Sequence, residues 1–232
     1  MWPGSRTGFL KRFLSNEIAV GGCVVRQLFD FINARKDKAL GKKIKDICKS
    51  VDPVKLHIGS GRNYKEGWVN IDSDPKVKAD VFYDLTKGIP FPDNSVDYIF
   101  NEHFIEHLSY DEGFEFMKEA YRVLKPGGII RIACPDLDAM IESYQKDTWR
   151  SMEWVKLIKA SWYPSGCFML NQCIMENGLH KYMYNKSELI RRLIEAGFDS
   201  GDISVEKYRR SKNKEFENLE KRQDSLIIEA KK

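Results

Sequence analysis

Between residues 54 and 133 short, mostly apolar runs recur, and several of them close on a glycine or a carboxylate. Residues 54–58, 68–71, 80–83, 96–100 and 129–133 each have the length and Val/Ile/Phe content of a buried strand. A helical stretch at 110–124 separates the last two. It opens on a Ser109…Glu112 capping box and stops at Lys125-Pro126-Gly127-Gly128. Strands alternating with helices predict a mainly parallel sheet with helices on both faces. Asp52-Pro53 breaks the chain just before this region. Residues 9–49 read as helical, with Val25, Leu28, Phe29 and Ile32 on one face.

Beyond residue 137 the rhythm changes. Trp149, Met152, Val155, Ile158 and Trp162 form an apolar stripe at helical spacing, which predicts the packing face of a helix in an insert over 138–178. A final helix is expected at 187–196, between an Asn185…Glu188 capping box and Gly197. Strand-like residues 203–208 and 225–230 close the chain. The charged run between them is expected to be a long exposed connection.

With 232 residues, 42% apolar and 12% aromatic, the chain can fill one substantial core. No run of about 18 apolar residues occurs, so no membrane span is expected. The N-terminus lacks an apolar stretch of about 7–15 residues before a cleavage site, and the expected location is cytoplasmic. Five cysteines (Cys23, Cys48, Cys134, Cys167, Cys173) without a CxxC pair read as reduced thiols. His103 and His107 are spaced i,i+4, but no third ligand is evident, so no metal site is expected. Residues 1–50 hold eleven Lys/Arg against four Asp/Glu, and the rest holds 27 against 30. Such a basic segment suits an anionic partner or an ordinary solvated helix face; the second is the expectation.

Open parallel sheets bind ligands beyond the carboxyl ends of their strands. Here the first strand runs into Gly59-Ser60-Gly61, where a backbone can approach a ligand closely. The second ends at Asp72, whose two oxygens can accept both hydroxyls of a ribose. The third leads to Asp84-Leu85, a carboxylate placed to accept from an adenine amino group. The fourth leads to Asn101-Glu102-His103. Together they describe a pocket for an adenosine with a polar tail. Position 64 is Tyr, so the GxGxxG dinucleotide fingerprint fails and an NAD enzyme is disfavoured.

The stretches VKLHIGSG (54–61), VNID (69–72), PFPDNSVDYIF (90–100), NEHFIEHL (101–108) and EAYRVLKPGGII (119–130) resemble the ordered motifs of class I S-adenosylmethionine-dependent methyltransferases. The likeness is strongest to the type 11, small-molecule branch. It covers about residues 51–137 and continues more loosely through 180–198 and the C-terminus. The resemblance implies an α/β, Rossmann-like sheet of seven mostly parallel strands in the order 3-2-1-4-5-7-6, the last antiparallel. A helical extension (1–50) would precede a methyltransferase domain (51–232) that carries the insert.

By resemblance the cofactor is S-adenosyl-L-methionine. Gly59 and Gly61 would lie against its methionine part, with Ser60 beside them, and Asp72 would hold the ribose. Asp84 and Leu85 would meet the adenine, while Asn101 and Glu102 would line the methionine end. His107 and His180 are the candidate bases toward the acceptor. Two departures stand out. His57 occupies a position that is usually acidic, and Asn63 one that is often a third glycine. The ten residues 59–68 barely match the roughly 10–12 of a parallel crossover, so the usual first helix is expected to be short or absent. By resemblance the expected acceptor is a small molecule, and Asn101-Glu102-His103-Phe104, which lacks the paired prolines of base-amino methyltransferases, counts against nucleic acid. A nucleic-acid methyltransferase and a non-catalytic methyltransferase-like subunit remain the alternatives, and the oligomeric state is open.

Overall fold

The computed structural model describes residues 38–232. The predicted helical face around Val25–Ile32, Cys23 and most of the basic segment lie outside the described residues. Residues 38–50 are helical (α1). Residues 48–232 form one compact unit, and the sheet lies in it. Among the described residues no helix is long and apolar enough to cross a membrane.

Seven strands form one sheet: β1 (Lys55–Ile58), β2 (Val69–Asp72), β3 (Val81–Phe82), β4 (Val96–Glu102), β5 (Leu124–Pro135), β6 (Ile203–Val205) and β7 (Ser225–Lys231). Their order is β3-β2-β1-β4-β5-β7-β6, as the family resemblance implies. The first five are mutually parallel, and β7 runs antiparallel to both of its neighbours. Leu56, Ile58, Ile71, Ile99 and Ile132 are wholly buried in the middle strands, which is why these runs are continuously apolar rather than alternating. Chain order reverses between β1 and β4. That is the switch point where sheets of this kind leave a crevice.

Helix α2 (Tyr110–Val123) begins with the predicted capping box. Ser109 accepts from the Glu112 amide, and Glu112 reaches back to the Ser109 amide. Such a cap is worth about 1 kcal/mol. The Lys-Pro-Gly-Gly run does more than stop the helix, because β5 already starts at Leu124, paired with Val96 across an irregular register. Gly128 makes this possible. A Cβ there would lie 2.9 and 3.0 Å from the Lys125 and Asp97 carbonyl oxygens.

The insert departs from the expected single helix. After α3 (Leu137–Gln145) the stripe breaks into a 3-10 turn at Trp149–Ser151, α4 (Glu153–Leu157) and a second turn at Ala160–Trp162. Trp149, Val155 and Ala160 pack with Met140, and with Met169 and Cys173 of α5 (Gly166–Met175), in a satellite core. Ile158 and Trp162 are exposed instead. The left-handed Lys159, at φ 57°, ends the helical course between them.

The charged stretch before β7 is also not the exposed connection predicted. Arg131, central in β5 and fully buried, pairs with Glu220 and Glu229. Phe216 is buried against Trp68 and Tyr98. A guanidinium inside the sheet needs carboxylates brought to it, and folding residues 209–224 back supplies one of the two. Helix α6 (Lys186–Glu195) carries the predicted Asn185 cap, which accepts from the Glu188 amide at 2.9 Å, while the Glu188 side chain turns to Tyr182 and Arg191.

Candidate active site

The tip of β1 is built on two glycines. Gly59 has φ 63°, and the Phe104 ring lies so close that an added Cβ would meet its Cδ2 at 2.4 Å. Gly61 has φ 50° and open space where a Cβ would be. Its amide donates to Asp72 Oδ2 at 2.7 Å, and the Asp74 amide donates to Oδ1 at 2.8 Å. Each carboxylate oxygen retains a lone pair for a further donor. Phe104 is itself held edge-on against Phe116 of α2.

These groups border a cleft of about 240 Å³ whose lining includes Gly59, Asp72, Tyr83, Asp84, Leu85 and Phe104. Asp84 caps the 3-10 turn Leu85–Lys87 and accepts from both the amide and the hydroxyl of Thr86. The Thr86 hydroxyl bond holds its carboxyl below the ordinary range, so it faces the cleft as an acceptor. One wall is apolar and two carboxylates converge on it, which fits an adenosine.

A second cavity of about 210 Å³ adjoins it at Gly59, with Ser60, Asn63, Glu102 and the basic Arg62, Lys221 and Arg222 in its lining. The Ser60 hydroxyl is buried and has no hydrogen-bond partner among the described residues. An orphaned hydroxyl beside three cations suits the amino-acid end of a ligand such as S-adenosylmethionine. As the ten-residue crossover predicts, no helix connects β1 to β2. The Asn70 side chain organises the loop instead, bonding the Lys65 amide and carbonyl and the Trp68 carbonyl. Asn70 Oδ1 also meets His57 Nδ1 at 2.9 Å, and burial pushes His57 down to about 4.

Not every predicted residue reaches these cavities. Asn101 is fully buried and lines neither, with both amide atoms unpartnered among the described residues. Glu102 lines the second cavity, but its Oε1 accepts from the Lys221 and Arg222 amides, at 2.6 and 2.9 Å, so it anchors the loop over that cavity. Phe104 and the 62/221/222 cations were missed from sequence. Nothing in the spacing ties residues 221–222 to the strand tips.

The third cavity, about 370 Å³, lies against the insert and includes His103, Glu106, His107, Trp154, His180 and Arg222 in its lining. His107 borders this cavity and the adenosine-sized cleft alike. The candidate bases His107 and His180 come together, ring centroids 5.0 Å apart, because the Lys181 and Tyr182 amides both bond the Glu106 carbonyl, at 2.8 and 3.2 Å. The i,i+4 pair does not act as a unit. His103 Nε2 meets Ser225 Oγ at 3.0 Å. Glu106, His107 and His180 instead bring their donor atoms within 4.8 Å of one another, so a third potential ligand does exist. A larger depression of about 640 Å³ sits beside β6 and the start of β5, lined by Tyr98, Ile129 and Ile203, away from the strand tips.

A seven-stranded sheet with this order, opening a carboxylate-lined cleft at its switch point, is the Rossmann-like fold of class I methyltransferases. Residues 63–132 match the family model described as a methyltransferase domain. Over 76 residues the chain is 34% identical to a "Probable S-adenosylmethionine-dependent methyltransferase" of Mycolicibacterium smegmatis, a match covering 33% of this chain and 29% of that protein. The chain thus spans under a third of the length of this curated relative. A solved structure of a candidate O-methyltransferase from Nostoc punctiforme shares the fold at 11% identity and TM-score 0.50, over 84% of this chain and 56% of that one. A S-adenosylmethionine-dependent methyltransferase from Archaeoglobus fulgidus aligns at 17% identity and TM-score 0.49, over 88% and 100%. The matched residues 63–132 hold β2, β3, β4 and most of β5, and over them the chain is similar to a methyltransferase domain.

Proposed function

We propose that the protein is a S-adenosylmethionine-dependent methyltransferase that moves a methyl group in line to a small-molecule acceptor held under the insert. The observation that carries this reading is the convergence of Gly59, Asp72, Asp84 and Leu85 on one cleft that meets the 370 Å³ cavity at His107.

Asp72 would accept the ribose hydroxyls and Asp84 the adenine amino group. Ser60 and the cations over the second cavity would receive the amino-acid end, with Glu102 holding the 221–222 loop in place. When bound, the cofactor supplies a methyl on a positively charged sulfur. The protein's task is alignment, and orienting two reactants can lower a barrier by about 7–11 kcal/mol. The insert would exclude water and grip the acceptor. His107 and His180 stand at its wall, where a group is needed only for an acceptor that must lose a proton. Purified protein given S-adenosylmethionine labelled in the methyl group, with a small-molecule fraction of cell extract, should label a small product. Labelling confined to RNA or DNA would contradict the acceptor class, and no transfer to any fraction would favour a non-catalytic subunit.

A further inference from the structure

We propose that Glu106, His107 and His180 form a site for one divalent cation of the Mn²⁺-to-Zn²⁺ series in the wall of the 370 Å³ cavity. Its role toward the acceptor rests on the methyltransferase reading; the site itself does not.

Glu106 is the first reason. Its side chain is 1% exposed, yet neither carboxylate oxygen receives a hydrogen bond from any described residue. His103 Nδ1 stands 3.2 Å from Oε1 without hydrogen-bond alignment. A buried carboxylate without donors is costly, and a cation offsets that cost.

The histidines are the second. His107 Nδ1 contacts the Leu179 carbonyl at 3.2 Å, and His180 Nδ1 contacts the Cys173 carbonyl at 2.6 Å. A carbonyl only accepts, so each Nδ1 carries the proton and each Nε2 is left as the ligand atom. Metal-binding histidines are oriented through their other nitrogen in this way. His180 Nε2 also stands 2.9 Å from Glu176 Oε2 and 4.0 Å from Glu106 Oε1. Electron-rich atoms this close need a proton or a cation between them. Three ligands on one ion at about 2.1 Å lie about 3–3.5 Å apart, and one donor atom from each of the three residues already lies within 4.8 Å of the others.

The donor set selects the metal. Two imidazoles and a carboxylate favour borderline first-row ions over Ca²⁺ or Mg²⁺. Cys173 offers only its carbonyl, for burial pushes its thiol up to about 12. Three protein ligands leave positions open, as in catalytic rather than structural sites. All three residues line the cavity, so an oxygen of the acceptor would complete the coordination. In that role the histidines act on the acceptor through the ion and not as bases.

The test is a Co²⁺ titration of the chelator-stripped full chain, read by visible absorption and by equilibrium dialysis. S-adenosylhomocysteine binding and the thermal midpoint serve as fold controls. One equivalent of Co²⁺ should bind; Glu106→Gln should weaken uptake tenfold or more while retaining S-adenosylhomocysteine binding, and His107→Ala should weaken it tenfold or more with the thermal midpoint unchanged. Wild-type protein that binds S-adenosylhomocysteine but no Co²⁺ overturns the metal site and leaves the methyltransferase reading intact. Co²⁺ uptake without S-adenosylhomocysteine binding does the reverse. Uptake unchanged in both variants also overturns the site, and His107, half-buried at the cavity rim, is the substitution least able to disturb folding.

Discussion

The Gly61 amide donates to Asp72 Oδ2 at 2.7 Å, tying the turn after β1 to the carboxylate that ends β2. One side chain therefore both shapes the glycine turn and faces the cleft.

Asp72→Ala should lower S-adenosylhomocysteine affinity tenfold or more, on the order of 1.5–3 kcal/mol for lost hydrogen bonds to a charged group. Asp72→Asn keeps one acceptor and should lose less. Calorimetric titration of the two variants checks the order, and wild-type affinity in Asp72→Ala would remove the ribose from this position.

The two glycines should respond differently to alanine. At Gly59 the new methyl meets Phe104 at 2.4 Å as well as paying the cost of positive φ, whereas Gly61→Ala bears the backbone cost alone, about 1 kcal/mol. Gly59→Ala should therefore be the more destabilised by a further 1–3 kcal/mol or so, the usual penalty of overpacking. Urea unfolding of both variants decides it.

Much of the sheet was legible because buried parallel strands leave continuous apolar runs, and Ser109…Glu112 announces its helix directly. Asp72 and Asp84 were legible too, as carboxylates at the ends of such runs. The failures share a cause. Glu220, Phe216, Lys221 and Arg222 act through residues 89 to 148 positions away, and local periodicity carries no record of such partners. Arg131 inside an apolar strand was the one available hint that acids must return to it.

Glu220→Ala should destabilise the fold by about 3–5 kcal/mol, since it leaves Arg131 short of a buried partner. Thermal or urea unfolding measures this. A loss under 1 kcal/mol would mean that Glu229 alone satisfies the guanidinium.

Stability should fall on acidification through His57. With its folded value at about 4 against an ordinary 6.5, the unfolded chain binds the extra proton between those limits. Stability is therefore complete above about pH 6.5 and is lost as pH falls toward 4, by up to about 3 kcal/mol. His57→Gln should flatten that slope when urea unfolding is compared at about pH 7 and about pH 5. An equal slope in the variant would assign the acid sensitivity elsewhere.

The most direct measurement is a crystal structure with S-adenosylhomocysteine bound. The account predicts ribose hydroxyls on Asp72, the adenine edge between Asp84 and Leu85, and the sulfur turned toward His107 and the cavity under the insert. A ligand lodged in the depression beside β6, or a strand-tip cleft that stays empty at saturating ligand, would contradict it.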